Sequence, residues 1–368
     1  MTIFIVGGGT GGHLYPGLVV AAALRARGDD PVFLLPRRAN GGLGEGIVAR
    51  AGYEAIAIPG EGFPRRLSLK WITAPANLAA GAWLAALAMR RWTPRAVLAL
   101  GGYLAAPAVF AAKQIKGMRI VLLEPNVVPG LANRMLAPWA DAVAVGFEET
   151  ASRFGARVRV IVTGTPVRPD IRPGPSGPAR RELGLDDGKR TVLVLGGSLG
   201  SRRLNEVVPA GAAMMSPADR ATLQVLHLTG SAREEERDRV RQAYARAGVV
   251  ARVEGYREEM GAAYAAADLV IARAGAVTCA EILAVGRPAI LVPFPGATES
   301  HQEANGRALE TRSAARIILD EEFTSDRCAT LLAGIPALAA GQSPPIPAPD
   351  AAKAILALLA AGTLKPKA

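Results

Sequence analysis

The sequence predicts an α/β protein of two Rossmann-like domains facing across a cleft, on three observations. The chain opens the same way twice: Thr2 to Val6 runs into Gly7-Gly8-Gly9-Thr10-Gly11-Gly12-His13, and Thr191 to Leu195 runs into Gly196-Gly197-Ser198-Leu199-Gly200. Each glycine cluster is followed by a helical pattern, Leu18 to Arg27 in the first case and Leu204 onward in the second. Strand, glycine turn and helix begin a parallel α/β unit. Finally, 368 residues suit two domains better than one.

Further short apolar runs continue the alternation. Ala96 to Leu100 precedes Gly101-Gly102-Tyr103, and Ile120 to Leu123 precedes Glu124-Pro125-Asn126. In the second half, Gln224 to Leu228, Leu269 to Ala272 and Ala289 to Val292 read as buried strands. Thr163-Gly164-Thr165-Pro166 and the following Pro173-to-Pro178 loop place a hinge near Gly164. The Pro-rich stretch Pro344 to Pro349 hands over to a last helix, Ala351 to Ala361, capped by Asp350.

Composition narrows the classes of function. Apolar residues make up 50% of the chain and charged ones 20%, as in a folded globular protein. A net charge of +11 favours anionic partners. Aromatic residues are only 5% and no Arg/aromatic run of an RNA-binding type occurs, which speaks against nucleic acid. Cys279 and Cys328 cannot build a disulfide framework, and no Cys/His cluster has zinc spacing, so a reducing cytoplasm is expected. Met1 leads straight into a strand, with no sign of a signal peptide. The longest weakly polar stretch, Ala76 to Met89, falls short of the ~20 residues that span a bilayer.

Glycine turns let backbone N–H groups approach a phosphate, and the helix behind them favours negative charge. The first loop is not a Walker A loop, because no Gly-Lys-Ser/Thr follows. Nor is it a dinucleotide fingerprint, since Arg37 and Arg38 stand where an acid would close the second strand. In the second half, Arg273 to Glu281 follows a strand and starts a helix with small residues at its head. Glu281 is placed either to accept the ribose hydroxyls of a nucleotide or to stabilise the helix near its positive end. Pro293-Phe294-Pro295-Gly296 closes the next strand, and His301-Gln302-Glu303 follows on a polar loop. His227, at the end of an apolar strand, reads as structural.

Taken together these motifs resemble the MurG family almost end to end. The resemblance rests on Gly8 to His13 with Pro16-Gly17, on Gly101-Gly102-Tyr103 with Pro107, and on Glu124, Asn126 and Pro129 to Asn133. It continues through Gly164 to Arg168, Gly196-Gly197-Ser198 with Gly200, Arg273 to Glu281, and His301-Gln302-Glu303 with Asn305. Two positions depart from it: the acceptor-side loop reads Leu123-Glu124-Pro125-Asn126 instead of His-Glu-Gln-Asn, and Arg257 replaces an apolar residue after Tyr256.

The resemblance implies a GT-B fold whose terminal helix returns to the first domain. Residues 1–163 plus 350–368 would form the acceptor and membrane domain, and residues 164–342 the donor domain. The implied reaction is an inverting transfer of N-acetylglucosamine from its UDP form to the muramyl 4-hydroxyl of undecaprenyl-diphospho-N-acetylmuramoyl-pentapeptide (lipid I). Peptidoglycan synthesis, cell shape and division are the processes it would serve, at the cytoplasmic face of the bacterial plasma membrane. Cell-wall synthesis proteins are the further partners so suggested. Thr10, Gly11 and Gly12 would lie at the reacting sugar and diphosphate, Asn126 at the N-acetylglucosamine, and Arg168 with Ser198 at the diphosphate. Ala276, Val277, Thr278, Cys279, Ala280 and Glu281 would seat uridine, Arg257 would reach uracil through its backbone, and Gln302, with His301 beside it, would hold sugar hydroxyls.

An inverting transfer needs a base for the acceptor hydroxyl and charge stabilisation for the departing UDP. His13 and Glu124 are the two candidates for the base. No Asp-x-Asp stands at a strand end, so no metal or other cofactor is expected; Arg168 and helix N-termini take that role. Around Trp71, Ile72, Leu78, Trp83, Leu84, Leu87 and Trp92, the cations Arg65, Arg66, Lys70, Arg90 and Arg91 suit peripheral docking on anionic inner-leaflet lipid. The alternatives are a diacylglycerol glycosyltransferase of the same fold, or a nucleotide-sugar epimerase that needs no lipid.

Overall fold

A computed structural model describes residues 1–7, 11–37, 43–59, 70–230, 234–335 and 350–361, with backbone alone for 11–13, 43 and 70–75. The chain divides into two units, Met1–Arg168 with Pro349–Ala368, and Pro169–Ala348. The division thus falls after Arg168, beyond the left-handed glycine at Gly164 (φ +74°).

The first unit holds a seven-stranded sheet: β1 (Thr2–Val6), β2 (Asp30–Pro36), β3 (Glu54–Ile58), β4 (Ala96–Ala99), β5 (Arg119–Glu124), β6 (Ala142–Val145) and β7 (Val160–Val162). All pair in parallel, in the order β3-β2-β1-β4-β5-β6-β7. Its central strands are continuous apolar runs because helices cover both faces. Alternate residues therefore enter opposite cores: Phe4, Val6, Val32 and Leu34 lie on one face, Ile3, Ile5, Phe33 and Leu35 on the other.

The helix Ala351–Ala360 completes the second of these cores with Ile355, Leu356, Leu358 and Leu359. Asp350 caps it by accepting the Lys353 N–H at 2.9 Å. Arg119, 3% exposed, donates from Nε to the Leu358 carbonyl at 3.0 Å, which fastens the returning chain to β5.

The second unit repeats the plan with β8 (Arg190–Leu195), β9 (Leu223–Leu228), β10 (Val250–Glu254), β11 (Leu269–Ala272), β12 (Ala289–Leu291) and β13 (Ala315–Ile317). The order is β10-β9-β8-β11-β12-β13, again all parallel. Both sheets thus have the doubly wound order, which reverses between β1 and β4 and between β8 and β11.

Two helices begin where the residue pattern does not announce them. After β1 the helix runs Gly11–Ala26, so Gly11, Gly12 and His13 form its first turn and Pro16 lies inside it. Glycine and proline are poor helix formers, but packing decides here. A Cβ added at Gly17 would sit 2.6 Å from Leu100 Cδ1 and 3.2 Å from Ile5 Cγ2, so any other residue there would have to push these methyl groups aside for the helix to lie so close to the sheet. The expected polar loop at His301-Gln302-Glu303 is instead the first turn of the helix His301–Glu310. Its buried Asn305, Gly306, Ala308 and Leu309 form the face that the run of polar residues concealed.

Candidate functional site

In open α/β sheets ligands bind beyond the carboxyl ends of the strands, where the strand order reverses. In the first unit that place is marked by Gly7 after β1 and Gly101-Gly102 after β4. Gly101 and Gly102 have φ of +84° and +77°, a turn that costs other residues strain. Thr10 lies outside the described residues, whereas Gly11, Gly12 and His13 are placed by backbone at the start of the helix behind β1.

Glu124, the last residue of β5, is 2% exposed. Its Oε1 accepts from Asn126 N and Nδ2, both at 3.0 Å. Its Oε2 accepts from Gly130 N at 2.8 Å and Asn133 Nδ2 at 3.0 Å. Four donors converge on one buried carboxylate, which pins the loop 124–130 and the helix Leu131–Leu136 to the sheet. Taking up an acceptor proton would break part of this set. The arrangement is that of a positioning group and counts against the base role considered for Glu124. Asn126 is held in the same network, and its carbonyl accepts from Thr150 Oγ1 at 3.0 Å.

At the matching place in the second unit, Gly197 and Gly200 have φ of +82° and +78°. A Cβ on Gly200 would lie 2.2 Å from the Thr229 carbonyl oxygen, so the Ser198 loop packs backbone to backbone on the end of β9. Ser201 caps the helix Arg202–Met214 by accepting the Leu204 N–H at 3.3 Å. Behind the loop, Asn205 Nδ2 donates to the Thr229 carbonyl (3.3 Å) and to Glu236 Oε1 (2.7 Å). Asn205 Oδ1 meets His227 Nε2 at 3.0 Å, and His227 Nδ1 meets Tyr244 Oη at 2.9 Å. Burial pushes the His227 pKa down to about 3, so the ring is neutral, donates from Nε2 to Asn205 and accepts from Tyr244 at Nδ1. His227 is structural, as its strand position implied.

The helix Ala276–Val285 starts directly after β11, with Gly275 as its N-cap. Its first N–H groups, from Ala276, Val277 and Thr278, precede the first intrahelical bond, from Cys279 N to Gly275 O at 2.9 Å. Val277, Thr278 and Ala280 are half-buried, whereas Cys279 points into the core. Burial raises the Cys279 thiol pKa to about 12. The Cys279 N–H is spent in the helix and its thiol lies in the core. Glu281, 6% exposed, accepts from Tyr264 Oη at 2.8 Å through Oε2. Tyr264 was not foreseen; its one signal is a lone phenol in the run Gly261-Ala262-Ala263-Tyr264-Ala265-Ala266.

Arg273 is tied down: Nη1 donates to the carbonyls of Val292 (3.1 Å) and Pro293 (3.0 Å) and to Asp320, and its guanidinium lies over Phe294. Arg257 forks onto Glu254, Nε to Oε2 at 2.9 Å and Nη2 to Oε1 at 2.6 Å. Burial opposes ionisation of Glu254, but Arg257 and Arg252 prevail and hold its pKa below the usual value. The Arg257 side chain is therefore a partner of Glu254.

Gln302 Oε1 accepts from Phe294 N at 2.9 Å, which orients its amide, and His301 Nδ1 bonds the Thr298 carbonyl at 2.7 Å. The helix is entered through Glu299 and Ser300, both left-handed at φ of +49° and +50°. Such strain at non-glycine residues concentrates at functional sites. Asn305, fully buried, donates to the Ala274 carbonyl at 3.3 Å and links this helix to the loop before Ala276.

Comparison with known proteins agrees with this fold. Residues 3–145 match the glycosyltransferase family 28 N-terminal domain, and residues 191–354 match the glycosyltransferase family 28 C-terminal domain. The chain is 41% identical over 344 residues to a UDP-N-acetylglucosamine--N-acetylmuramyl-(pentapeptide) pyrophosphoryl-undecaprenol N-acetylglucosamine transferase of Desulforudis audaxviator, covering 92% of this chain and 90% of that one. An enzyme of the same name from Azoarcus sp. is 41% identical over 339 residues, covering 91% and 89%. Among solved structures, MurG of Acinetobacter baumannii superposes with a TM-score of 0.71 at 26% identity, covering 97% of this chain and 98% of that one.

Proposed function

The chain belongs to the MurG family of glycosyltransferases, and from that premise we propose that it moves N-acetylglucosamine from UDP-N-acetylglucosamine to lipid I, making lipid II for peptidoglycan. The observation that carries this reading is the 41% identity over 92% of the chain to an enzyme named for that reaction. The second unit is the donor domain. Val277, Thr278 and Ala280 line the uridine at the head of their helix, Glu281 takes the ribose hydroxyls, and Ser198 meets the diphosphate, to which Arg168, the last residue of the first unit, is also assigned. Gln302, held by Phe294, offers its amide NH2 to the sugar hydroxyls. The first unit receives the acceptor: Asn126, fixed by Glu124, contacts the sugar, and His13 takes the muramyl 4-hydroxyl proton as its oxygen attacks the anomeric carbon. The bond to UDP breaks on the opposite face, inverting the centre, and the growing charge on UDP is met by Arg168 and the helix N-terminus at Ala276.

The acceptor is tested by offering labelled UDP-N-acetylglucosamine with lipid I, with diacylglycerol, or without lipid. Label appears only in the lipid I product on this reading. Label in a diacylglycerol glycolipid, or conversion of the donor without lipid, assigns a glycolipid synthase or an epimerase instead.

Binding a lipid acceptor calls for a membrane surface, and no helix among the described residues is long and apolar enough to cross one. Three helices of the first unit pack in sequence: Lys70–Trp92 on Ala105–Lys113, and that on Leu131–Leu136. A Cβ on Gly81 of the first would meet the Pro59 carbonyl at 2.6 Å and Pro107 at 3.4 Å. All three, with the turn behind them, expose large apolar groups: Trp83 (64%), Leu87, Phe110, Leu131, Met135 and Trp139. Phe110 and Trp139 pack with ring centroids 6.2 Å apart and planes tilted by 47°, and Lys113 Nζ donates to the Trp139 carbonyl at 3.3 Å. Arg90, Arg91, Lys113 and Arg134 add cations to these helices. Exposed apolar surface with cations beside it fits peripheral docking on anionic inner-leaflet lipid. Arg65 and Arg66 lie outside the described residues. Replacing Trp83, Arg90 and Arg91 by Ser should weaken binding to anionic vesicles, by about 1 kcal/mol per cation, with thermal stability nearly unchanged. Undiminished binding of that variant, or binding that resists high salt, contradicts this docking mode.

A further inference from the structure

The guanidinium of Arg168 lies over the ring of Tyr15, 4.5 Å from the centroid. Both belong to the first unit but to distant parts of its chain: Tyr15 is the fifth residue of the helix Gly11–Ala26, and Arg168 ends the segment after β7. Around Arg168 the backbone is constrained on each side. Upstream, Thr163 N donates to the Val145 carbonyl at 3.1 Å, and Thr165 is buried so tightly against Gly146 that a Cβ there would lie 2.4 Å from Thr165 Oγ1. Downstream, Pro169 restricts Arg168 to extended backbone conformations. The aim of the long side chain is set by what it packs on and bonds to, and the Tyr15 ring is one of those restraints. An aromatic face suits a planar guanidinium, since the ring quadrupole attracts the charge while the N–H edge stays directed outward. Two residues on, Gly17 lies close to the sheet, where an added Cβ would run into Leu100 and Ile5.

We propose that Tyr15 is a positioning residue for the transfer, its ring holding the Arg168 guanidinium in the orientation that meets the donor diphosphate. The proposal rests on the assignment of Arg168 to that diphosphate. A guanidinium already stacked on Tyr15 is not immobilised anew when the donor binds, which favours affinity. The same fixed charge faces UDP as negative charge builds on it, which favours the rate.

The test compares Tyr15→Leu, Tyr15→Phe, Arg168→Lys and Arg168→Ala, and the double variant Tyr15→Leu/Arg168→Ala. The readouts are kcat and KM for UDP-N-acetylglucosamine, calorimetric UDP affinity and thermal unfolding. Tyr15→Leu should lower kcat/KM by about 2- to 30-fold, the span of a cation–π contact expressed as a ratio. Tyr15→Phe, which keeps the ring, should restore most of that loss, and Arg168→Lys, which loses the planar fork, should lower kcat/KM in the same direction. In the Arg168→Ala background Tyr15→Leu should add nothing. An unchanged Tyr15→Leu enzyme, a Tyr15→Phe enzyme as impaired as the Leu variant, or a full added loss in the Arg168→Ala background each overturns the proposal. Should Tyr15→Leu fail to fold, Tyr15→Met, alone and combined with Arg168→Ala, takes its place under the same criteria. If Arg168→Ala itself leaves UDP affinity and kcat intact, the diphosphate assignment fails, a result distinct from a failure confined to Tyr15.

Discussion

His13→Ala should lose on the order of 10²–10⁴-fold in kcat, the usual contribution of a positioned general base. The residue stands in the first turn of the helix that starts beyond β1, where the first sheet reverses its order. UDP affinity should hardly change, because uridine and ribose are assigned to the second unit. The wild-type rate should fall as pH drops through the histidine pKa, ordinarily near ~6.5, since only the neutral ring accepts a proton. Glu124→Gln is the informative companion. The amide replaces an oxygen that accepts two buried hydrogen bonds, so the expected effect is lower thermal stability and a poorly held Asn126, with the acidic limb in place. A His13→Ala enzyme that keeps its kcat, while Glu124→Gln removes the acidic limb, would return the base role to Glu124.

The second large effect is expected at Glu281. Replacing it by Ala should weaken UDP binding by about 1–3 kcal/mol, the range for hydrogen bonds to a charged group. One of its oxygens is already held by Tyr264, which helps to set the carboxylate's direction. Tyr264→Phe therefore separates the two contributions: it should disturb UDP binding less than Glu281→Ala does. Calorimetry in which Glu281→Ala binds UDP as tightly as the wild type would remove Glu281 from the donor site.

Much of the frame was legible from residue pattern. Thr2 to Val6 and Leu269 to Ala272 agree with β1 and β11 to the residue, because strands covered on both faces are unbroken apolar runs ended by glycine or a polar turn. Asp350 as a cap was legible for the same local reason. What escaped was decided at a distance. The helix at Gly11 forms despite its glycines and proline, and Gly17 leaves room for Leu100, far along the chain. Glu124 reads as a reactive carboxylate until Asn126, Gly130 and Asn133 are seen to surround it. Cys279 lies in the expected ligand segment, but the helical period turns its thiol inward. No local pattern announces Tyr15 beneath Arg168 or Tyr264 on Glu281, since each pair meets only through the fold.

The proposed mechanism is a single inverting displacement onto the muramyl 4-hydroxyl, with the protein's own groups meeting the charge on UDP. Its most direct test is the linkage in the product formed from UDP-N-acetylglucosamine and lipid I in excess chelator, read by NMR of the released disaccharide. The expected result is a β-linked N-acetylglucosamine on the muramyl 4-oxygen, formed as fast with chelator as without. An α linkage, attachment at another oxygen, or a reaction that stops in chelator and resumes with added divalent cation contradicts it.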